Sequence, residues 1–411
     1  MANVLFLVHR LPYPPNKGDK VRSFHLLKHL AARHRVFLGT FIDDPDDARH
    51  LPTVRAYCAD VHAPRLSPVR ARVASLAGLL GPDALTLRYY AQASMARWVR
   101  AVVAQQAVDC TLVFSSAMVP YAQPAAAGQP GGGPVLLDLV DVDSAKWTAY
   151  APEHRWPMSW LYRREGRTLL ACERAAAARA RHTFLATEKE AALFRSLAPE
   201  SAARVSELGN GVDADYFQPQ AGRLSPFKTA EMPIVFTGAM DYWPNVDAVC
   251  WFAAEMLPRL RALHPAVRFH IVGRSPAPAV RTLAGAAVQV SGTVPDVRPY
   301  LQHAAVVVAP LRLARGIQNK VLEAMAMARP VVAAASCVEA ITAEPGRHLL
   351  SAGDADAFVN AISGLLTDPA RADAIGRAGR EQVLAAYAWN ARLRVLDQHL
   401  DAATGCHGKA A

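Results

Sequence analysis

The chain has 411 residues, of which 52% are hydrophobic and 19% charged, and it contains six cysteines. That length suggests two or three domains, and the composition excludes a disordered chain and a disulfide scaffold. Lys and Arg outnumber Asp and Glu by ten, a surplus that suits nucleic acid, a membrane surface or a phosphorylated substrate.

The surplus is spread out, +6 over residues 1–220 and +4 over the remainder. No nucleic-acid module accompanies it. The cysteines show no Cys-x-x-Cys pairing. They read as free, buried thiols, which fits a reducing cytosol.

Val4–Val8 is a short apolar run without a basic region before it or a cleavage site after it. It reads as a buried strand, not a signal peptide. A loop with Pro12, Pro14, Pro15 and Gly18 follows. Phe24, Leu27, Leu30 and Ala31 then give helical spacing from Ser23 to Arg33, and Val36–Phe41 is the next expected strand. Val73–Leu80 is too short to span a bilayer and lies behind Arg65, Arg70 and Arg72. It is either a solvated helix edge or an interfacial segment. Strands are expected at Cys110–Phe114, Val135–Val140 and Thr183–Ala186, with a surface loop over Gly128–Gly133. A run of arginines from Arg155 to Arg181, interleaved with Glu153, Glu165 and Glu173, is either a solvated helix face or a membrane-facing patch.

The pattern breaks over Gly222–Pro233 and then restarts. A strand at Ile234–Thr237 leads to a helix at Val246–Leu263. Strands follow at Phe269–Val272, Val288–Ser291 and Val306–Ala309, then a helix at Lys320–Ala328 and a strand at Val331–Ala335. A final helix runs from Trp389 through Leu393, Leu396 and Leu400, and the tail beyond Ala403 frays. Short strands spaced by helix-length segments predict parallel pairing, hence an α/β chain of two doubly wound, Rossmann-like domains. The expected domains are 1–220 and 230–387, with helix 388–403 packing back on the first. Ligands of such sheets bind at the carboxyl ends of the strands, so a central cleft faced by both domains is the expected site.

No Gly-x-Gly-x-x-Gly, Walker, His-Glu-x-x-His or Gly-x-Ser-x-Gly motif occurs. The informative segment is 306–332. A buried strand ends in a loop containing Gly316, and a helix carrying Glu323 follows. The free N–H groups of such a loop suit a phosphate. A carboxylate one turn in suits ribose hydroxyls, or equally the helix dipole alone.

Glu323-Ala-Met-Ala, Gly209-Asn-Gly-Val-Asp213, Phe236-Thr-Gly238, Ile271-Val-Gly273 and Gly292-x-Val294 together resemble family 4 of the retaining glycosyltransferases, which have the GT-B fold. Three further stretches narrow the likeness: Arg10-Leu-Pro-Tyr-Pro-Pro-Asn-Lys-Gly-Asp-Lys20, Asp138-Leu-Val-Asp-Val-Asp-Ser-Ala-Lys-Trp147 and Gly238-Ala-Met-Asp-Tyr-Trp-Pro-Asn-Val-Asp247. They resemble sugar transferases associated with PEP-CTERM, exosortase-type exopolysaccharide systems.

The resemblance implies transfer of a sugar from a nucleoside-diphosphate sugar to an acceptor hydroxyl, with retention, in exopolysaccharide biosynthesis. It implies no cofactor and no catalytic metal. The implied partners are the nucleotide sugar and a saccharide or lipid-linked saccharide acceptor, and nucleic acid is not among them. The implied location is cytoplasmic, with peripheral contact at the inner membrane. A sugar-nucleotide epimerase on the same fold and a non-catalytic nucleotide-sugar binder are the alternatives.

The resemblance implies a donor site of Gly18, Gly238, Asn245, Arg274, Val294, Arg315, Gly316, Lys320 and Glu323. Asp141 and Glu323 are the implied catalytic residues, and Asp143 and Ser144 belong to the acceptor side. The chain departs from the family at Arg315, where a Glu is usual, and at Met240–Asn245, which lacks the usual Arg and Lys for the diphosphate. Arg315 and Lys320, with Arg274 nearby, are the expected replacements; alternatively Arg315 packs on the surface. Gly18 either allows backbone approach to the donor or is a plain turn glycine. Lys17, Lys20 and Arg22 are expected to add positive potential at the cleft mouth. Many family members place a His where Asp141 stands. A carboxylate there suits orienting the acceptor hydroxyl or stabilising charge on the sugar carbon. Aspartates also ligate magnesium, and Asp138 alternatively caps a turn.

Overall fold

The computed structural model describes residues 1–15, 18–122, 133–312 and 317–404. By its contacts the chain forms two units, Met1–Asn210 together with the stretch from Arg392, and Gly211–Ala391.

Unit 1 is built on seven parallel strands: β1 (Asn3–Val8), β2 (Arg35–Gly39), β3 (Asp60–His62), β4 (Cys110–Phe114), β5 (Val135–Val140), β6 (His182–Leu185) and β7 (Val205–Glu207). Their order is β3-β2-β1-β4-β5-β6-β7. The central strands are apolar without alternation, and Val4 to Val8 are all buried. A strand covered on both faces requires that composition. The strand order reverses between β1 and β4, so the crevice of this sheet lies at their carboxyl ends.

Unit 2 repeats the design with β8 (Met232–Thr237), β9 (Val267–Val272), β10 (Val288–Gly292), β11 (Val306–Ala309), β12 (Val331–Ala334) and β13 (Leu350–Ala352). The order is β10-β9-β8-β11-β12-β13, all parallel. Here the reversal falls between β8 and β11.

The expected boundary at Gly222–Pro233 moves to Asn210/Gly211. The breaker-rich stretch is polar, yet it is fastened to unit 2. Arg223 and Gln220 exchange hydrogen bonds with Gln302, and Phe227 packs on His270 and Tyr300. The helix expected at Val246–Leu263 begins at Trp243 and holds one π-helical turn, Phe252–Met256. That turn sits just ahead of Pro258, which has no N–H to give to a regular ladder.

The final helix is two pieces, Trp389–Arg392 and Arg394–Thr404. The second belongs to unit 1. Its Leu396 and Leu400, and Leu393 just ahead of it, are buried, and its Asp397 accepts from His29 and Arg33, both at 2.8 Å. Among the described cysteines only Cys110 and Cys337 are buried; the others are half-buried, and all five are free. No helix among the described residues is long and apolar enough to cross a membrane.

Candidate functional site

In unit 2 the turns after β8 and β9 press together. Gly238 and Gly273 both take positive φ, +158° and +156°, where a side chain is strained. A Cβ on Gly273 would collide with the carbonyl oxygen of Gly238. A Cβ on Gly238 would come within 2.8 Å of the Asn245 amide nitrogen and 3.4 Å of Lys320 Nζ. Backbone bonds from Gly238 to Val272 and from Gly273 to Gly292 carry the ladder past the strand ends.

Lys320 reaches this turn from the first turn of the helix Asn319–Ala326, which follows β11. Its ammonium donates to Asn245 Oδ1 at 2.5 Å and lies 4.4 Å from the centre of the Phe236 ring. The Asn245 amide donates in turn to the carbonyl of Ala239 at 2.8 Å. Burial pulls the Lys320 ammonium down to about 8. Glu323, one turn further along, keeps some solvent access but sits deep among protein atoms. Burial pushes its carboxyl up to about 7, against the opposing pull of Lys320. Among the described residues no hydrogen bond reaches that carboxylate. The result is a half-buried acid and a half-buried base beside a glycine turn at the reversal of the sheet.

Of the other expected donor residues, Val294 packs against the unit 2 core and Arg274 is exposed on the turn after β9. Arg315 and Gly316 lie outside the described residues, as does Lys17. Gly18 belongs to unit 1. It is not in the loop but opens the helix Gly18–Arg33, and nothing lies within 4 Å of where its Cβ would be.

In unit 1, Asp141 follows the end of β5. Val140 has φ +69°, a genuine outlier for a β-branched residue. A bond from Asp141 N–H to the Leu139 carbonyl closes this tight turn. Lys146 bridges Asp141 at 2.7 Å and Asp143 at 3.1 Å. Desolvation lowers its pKa, but Asp143 and Asp141 outweigh that and push it up to about 12. No group of three or more His, Cys, Asp or Glu placed to hold a metal occurs among the described residues.

Two sequence expectations change here. Ser144 does not face an acceptor. It is buried, and its hydroxyl donates to Glu173 at 2.5 Å. Burial pushes Glu173 up to about 8. Lys20 and Arg22 are not mouth cations. Lys20 pairs with Asp47 at 2.5 Å, both buried. Arg22 grips Asp138 with two bonds of 2.8 and 3.0 Å and also donates to Asn210. Asp138 is therefore half of a buried ion pair, and its Oδ1 also accepts from the Val140 N–H at 3.2 Å, so it caps that turn as well.

The sequence reading missed a cluster after β1. Asp19 accepts from Arg10 at 3.0 Å and lies 3.5 Å from His9, while Arg10 also donates to Asp43 at 2.8 Å. Despite desolvation, His9 and Arg10 hold the Asp19 carboxyl well below the usual range. His9 stacks on Phe114 at the end of β4. The available signal was the chemistry-bearing pair His9-Arg10 directly at a strand's carboxyl end.

Residues 232–368 match the family model described as Glycosyl transferases group 1. That segment holds the Gly238 turn, Asn245, Lys320 and Glu323. Among solved structures, sucrose-phosphate synthase from Thermosynechococcus elongatus is similar with 20% identity and a TM-score of 0.63, over 97% of this chain and 98% of that one. HepE from Anabaena in complex with UDP has 15% identity and a TM-score of 0.62, over 98% of this chain and all of the other. WaaG, a glycosyltransferase involved in lipopolysaccharide biosynthesis, has 17% identity and a TM-score of 0.61 over 98% and 100%. No curated protein matches the chain. The fold is α/β, two parallel-sheet Rossmann-like units as in GT-B glycosyltransferases. With the group 1 match, it supports sugar transfer.

Proposed function

We propose that the protein moves a glycosyl group from a nucleoside-diphosphate sugar to an acceptor hydroxyl, with retention at the sugar carbon. The observation that carries this reading is the Glu323–Lys320 pair beside the Gly238 turn. Lys320 has three donors and spends one on Asn245. The others suit diphosphate oxygens, with the free N–H groups of the helix start adding to the same field. Glu323, without a partner among the described residues, suits the paired hydroxyls of a ribose. Gly238 and Gly273 let a ligand approach the backbone itself. HepE was solved with UDP and with UDP-glucose, which makes a uridine donor the first choice here.

Asp141 is the proposed catalytic carboxylate of unit 1, with Asp143 beside it. Lys146 bridges the two and holds them in place. Retention, an exopolysaccharide setting and a lipid-linked acceptor at the cytoplasmic membrane face rest on the sequence resemblance. The reaction needs no cofactor in this reading.

The test is calorimetry with UDP, GDP and ADP, followed by transfer assays with the matching sugars and NMR of the anomeric product. One nucleotide is expected to bind. Glu323→Ala is expected to weaken it by roughly 1.5–3 kcal/mol, the loss of charge-assisted hydrogen bonds. No binding of any nucleotide would sink the donor site.

A further inference from the structure

Unit 1 contains a cavity of about 260 Å³. It opens between the region of helices Pro68–Ser75 and Leu85–Tyr89 on one side and helices Asp143–Tyr150 and Met158–Arg179 on the other. Its walls are chiefly Leu85, Tyr89, Tyr90, Trp147, Leu161 and Tyr162. Trp147 and Tyr162 pack ring against ring, 5.3 Å between centres. A single water occupies roughly 30 Å³, so this space is many waters large and almost wholly apolar.

Two adjacent buried side chains of the long helix tie the walls of this open pocket to one another. Arg164 donates to the carbonyls of Gly78, Gly81 and Asp83 at 2.6, 2.5 and 3.2 Å. Glu165 accepts from the N–H groups of Leu85 and Thr86 at 2.7 and 2.8 Å, and from the Thr86 hydroxyl at 2.7 Å. Both side chains are buried. Buried charges are tolerated only when hydrogen-bonded this completely. They fix the Pro68–Tyr89 segment against the long helix, and the cavity is therefore preformed.

The elements that form the walls continue into an unusual surface. Val69, Val73 and Leu76 are 71%, 66% and 53% exposed, and their spacing puts them on one face. Trp156, just ahead of the long helix, and Trp160, in its first turn, are also exposed. Exposed arginines lie on the same segments: Arg70, Arg72, Arg155, Arg163 and Arg167. Arg72 is also the one cation among the residues lining the cavity. Apolar and indole side chains among arginines fit the boundary between lipid headgroups and acyl chains.

We propose that this cavity takes the hydrocarbon chain of an anionic, phosphate-bearing lipid, with its phosphate against Arg72 and the Val73/Trp160 face seated on the bilayer. Where the transferase reading holds, on which this point rests, that lipid is the anchor of the acceptor. Charge complementarity selects the occupant: an uncharged partner would gain nothing from these arginines.

The experiment uses the full chain and farnesyl phosphate, followed by tryptophan fluorescence, with farnesol and inorganic pyrophosphate as comparators. Flotation with phosphatidylglycerol-containing and pure phosphatidylcholine vesicles accompanies it. Farnesyl phosphate is expected to bind. Leu161→Trp, which fills the cavity, is expected to weaken it about tenfold, the equivalent of roughly two buried methylenes. Arg72→Ala is expected to weaken farnesyl phosphate but not farnesol. Trp160→Asp, at an exposed position where folding is safe, is expected to abolish flotation with the anionic vesicles. The proposal is overturned if farnesyl phosphate does not bind, or if these variants change nothing. It is also overturned if Trp160→Asp turns a dimer into a monomer without affecting flotation, since the face then belongs to a second copy. UDP calorimetry on the same variants reads the donor site separately: lost nucleotide binding with intact lipid binding condemns the transferase reading alone.

Discussion

At the residue scale the chemistry of unit 2 rests on two groups displaced towards neutrality by burial. Glu323 sits at about 7 and Lys320 at about 8. A donor whose ribose donates to the carboxylate needs Glu323 ionised, so affinity falls as pH drops below about 7. A diphosphate needs Lys320 charged, so affinity falls again above about 8. The expected profile of donor affinity is a bell with its top between these values, falling about tenfold per pH unit outside it. A nucleoside-diphosphate sugar is the right titrant, because its diphosphate does not itself titrate there. Glu323→Gln should remove the acid limb and Lys320→Met the alkaline one. A flat profile in the unaltered protein refutes the assignment. The Arg22–Asp138 pair makes a different prediction. Both partners are almost fully buried, so Asp138→Ala leaves an uncompensated guanidinium and should destabilise unit 1 by about 3–5 kcal/mol in chemical denaturation. The sequence placed Asp138 in its strand and Asp141 at the strand end, because alternation and the apolar run show both. It could not show that Arg22 lies against Asp138, since 116 residues separate them. The same holds for Ser144 and its partner Glu173, 29 residues on. Partners at such distances are chosen by packing, which local pattern does not encode.

At the scale of elements, legibility followed burial. Cys110–Phe114, Val135–Val140 and Val306–Ala309 lie where the apolar runs put them, because strands covered on both faces must be continuously apolar. Three of the four edge strands, β3, β7 and β13, have three residues each and were not foreseen, whereas the fourth, β10, has five and was. At a sheet edge one side is free of a neighbour, and side chains such as Asp60 and Glu207 carry no alternation to read. The helix at Gly18 begins five residues before its apolar periodicity, since Gly18 to Arg22 are held by ion pairs and not by an apolar face. The glycine turns were legible as motif letters, and the structure gives them a reason. Gly238→Ala has to fit a side chain at φ +158° beside Asn245. It should cost stability by about 1–3 kcal/mol through backbone strain. It should also push Lys320 off its Asn245 contact, so nucleotide affinity should fall together with stability. Unchanged nucleotide affinity in a folded Gly238→Ala protein would separate the turn from the donor site.

At the scale of the molecule each unit owns a hydrophobic core on its own sheet, and the last described helix completes the unit that the chain begins with. That topology makes unit 1 discontinuous in sequence and leaves unit 2 as one uninterrupted stretch. A truncation after Arg392 therefore acts on one unit only. It removes Leu393, Leu396 and Leu400, each at most 1% exposed. Fully burying one such side chain contributes about 1.5–3 kcal/mol, so roughly 5 kcal/mol or more is lost. The His29 hydrogen bond and the Arg33 ion pair of Asp397 go with them. His182 also loses the ring of His399 stacked 3.8 Å away. A loss of that size is comparable to the whole stability of many domains. Scanning calorimetry of the truncated chain should show the unit 1 transition lowered steeply or absent. The unit 2 transition should stay in place and should still rise when the nucleotide that binds the full chain is added, by the mass-action stabilisation any native-state ligand confers. A single transition that drops as a whole would mean instead that the two cores melt as one.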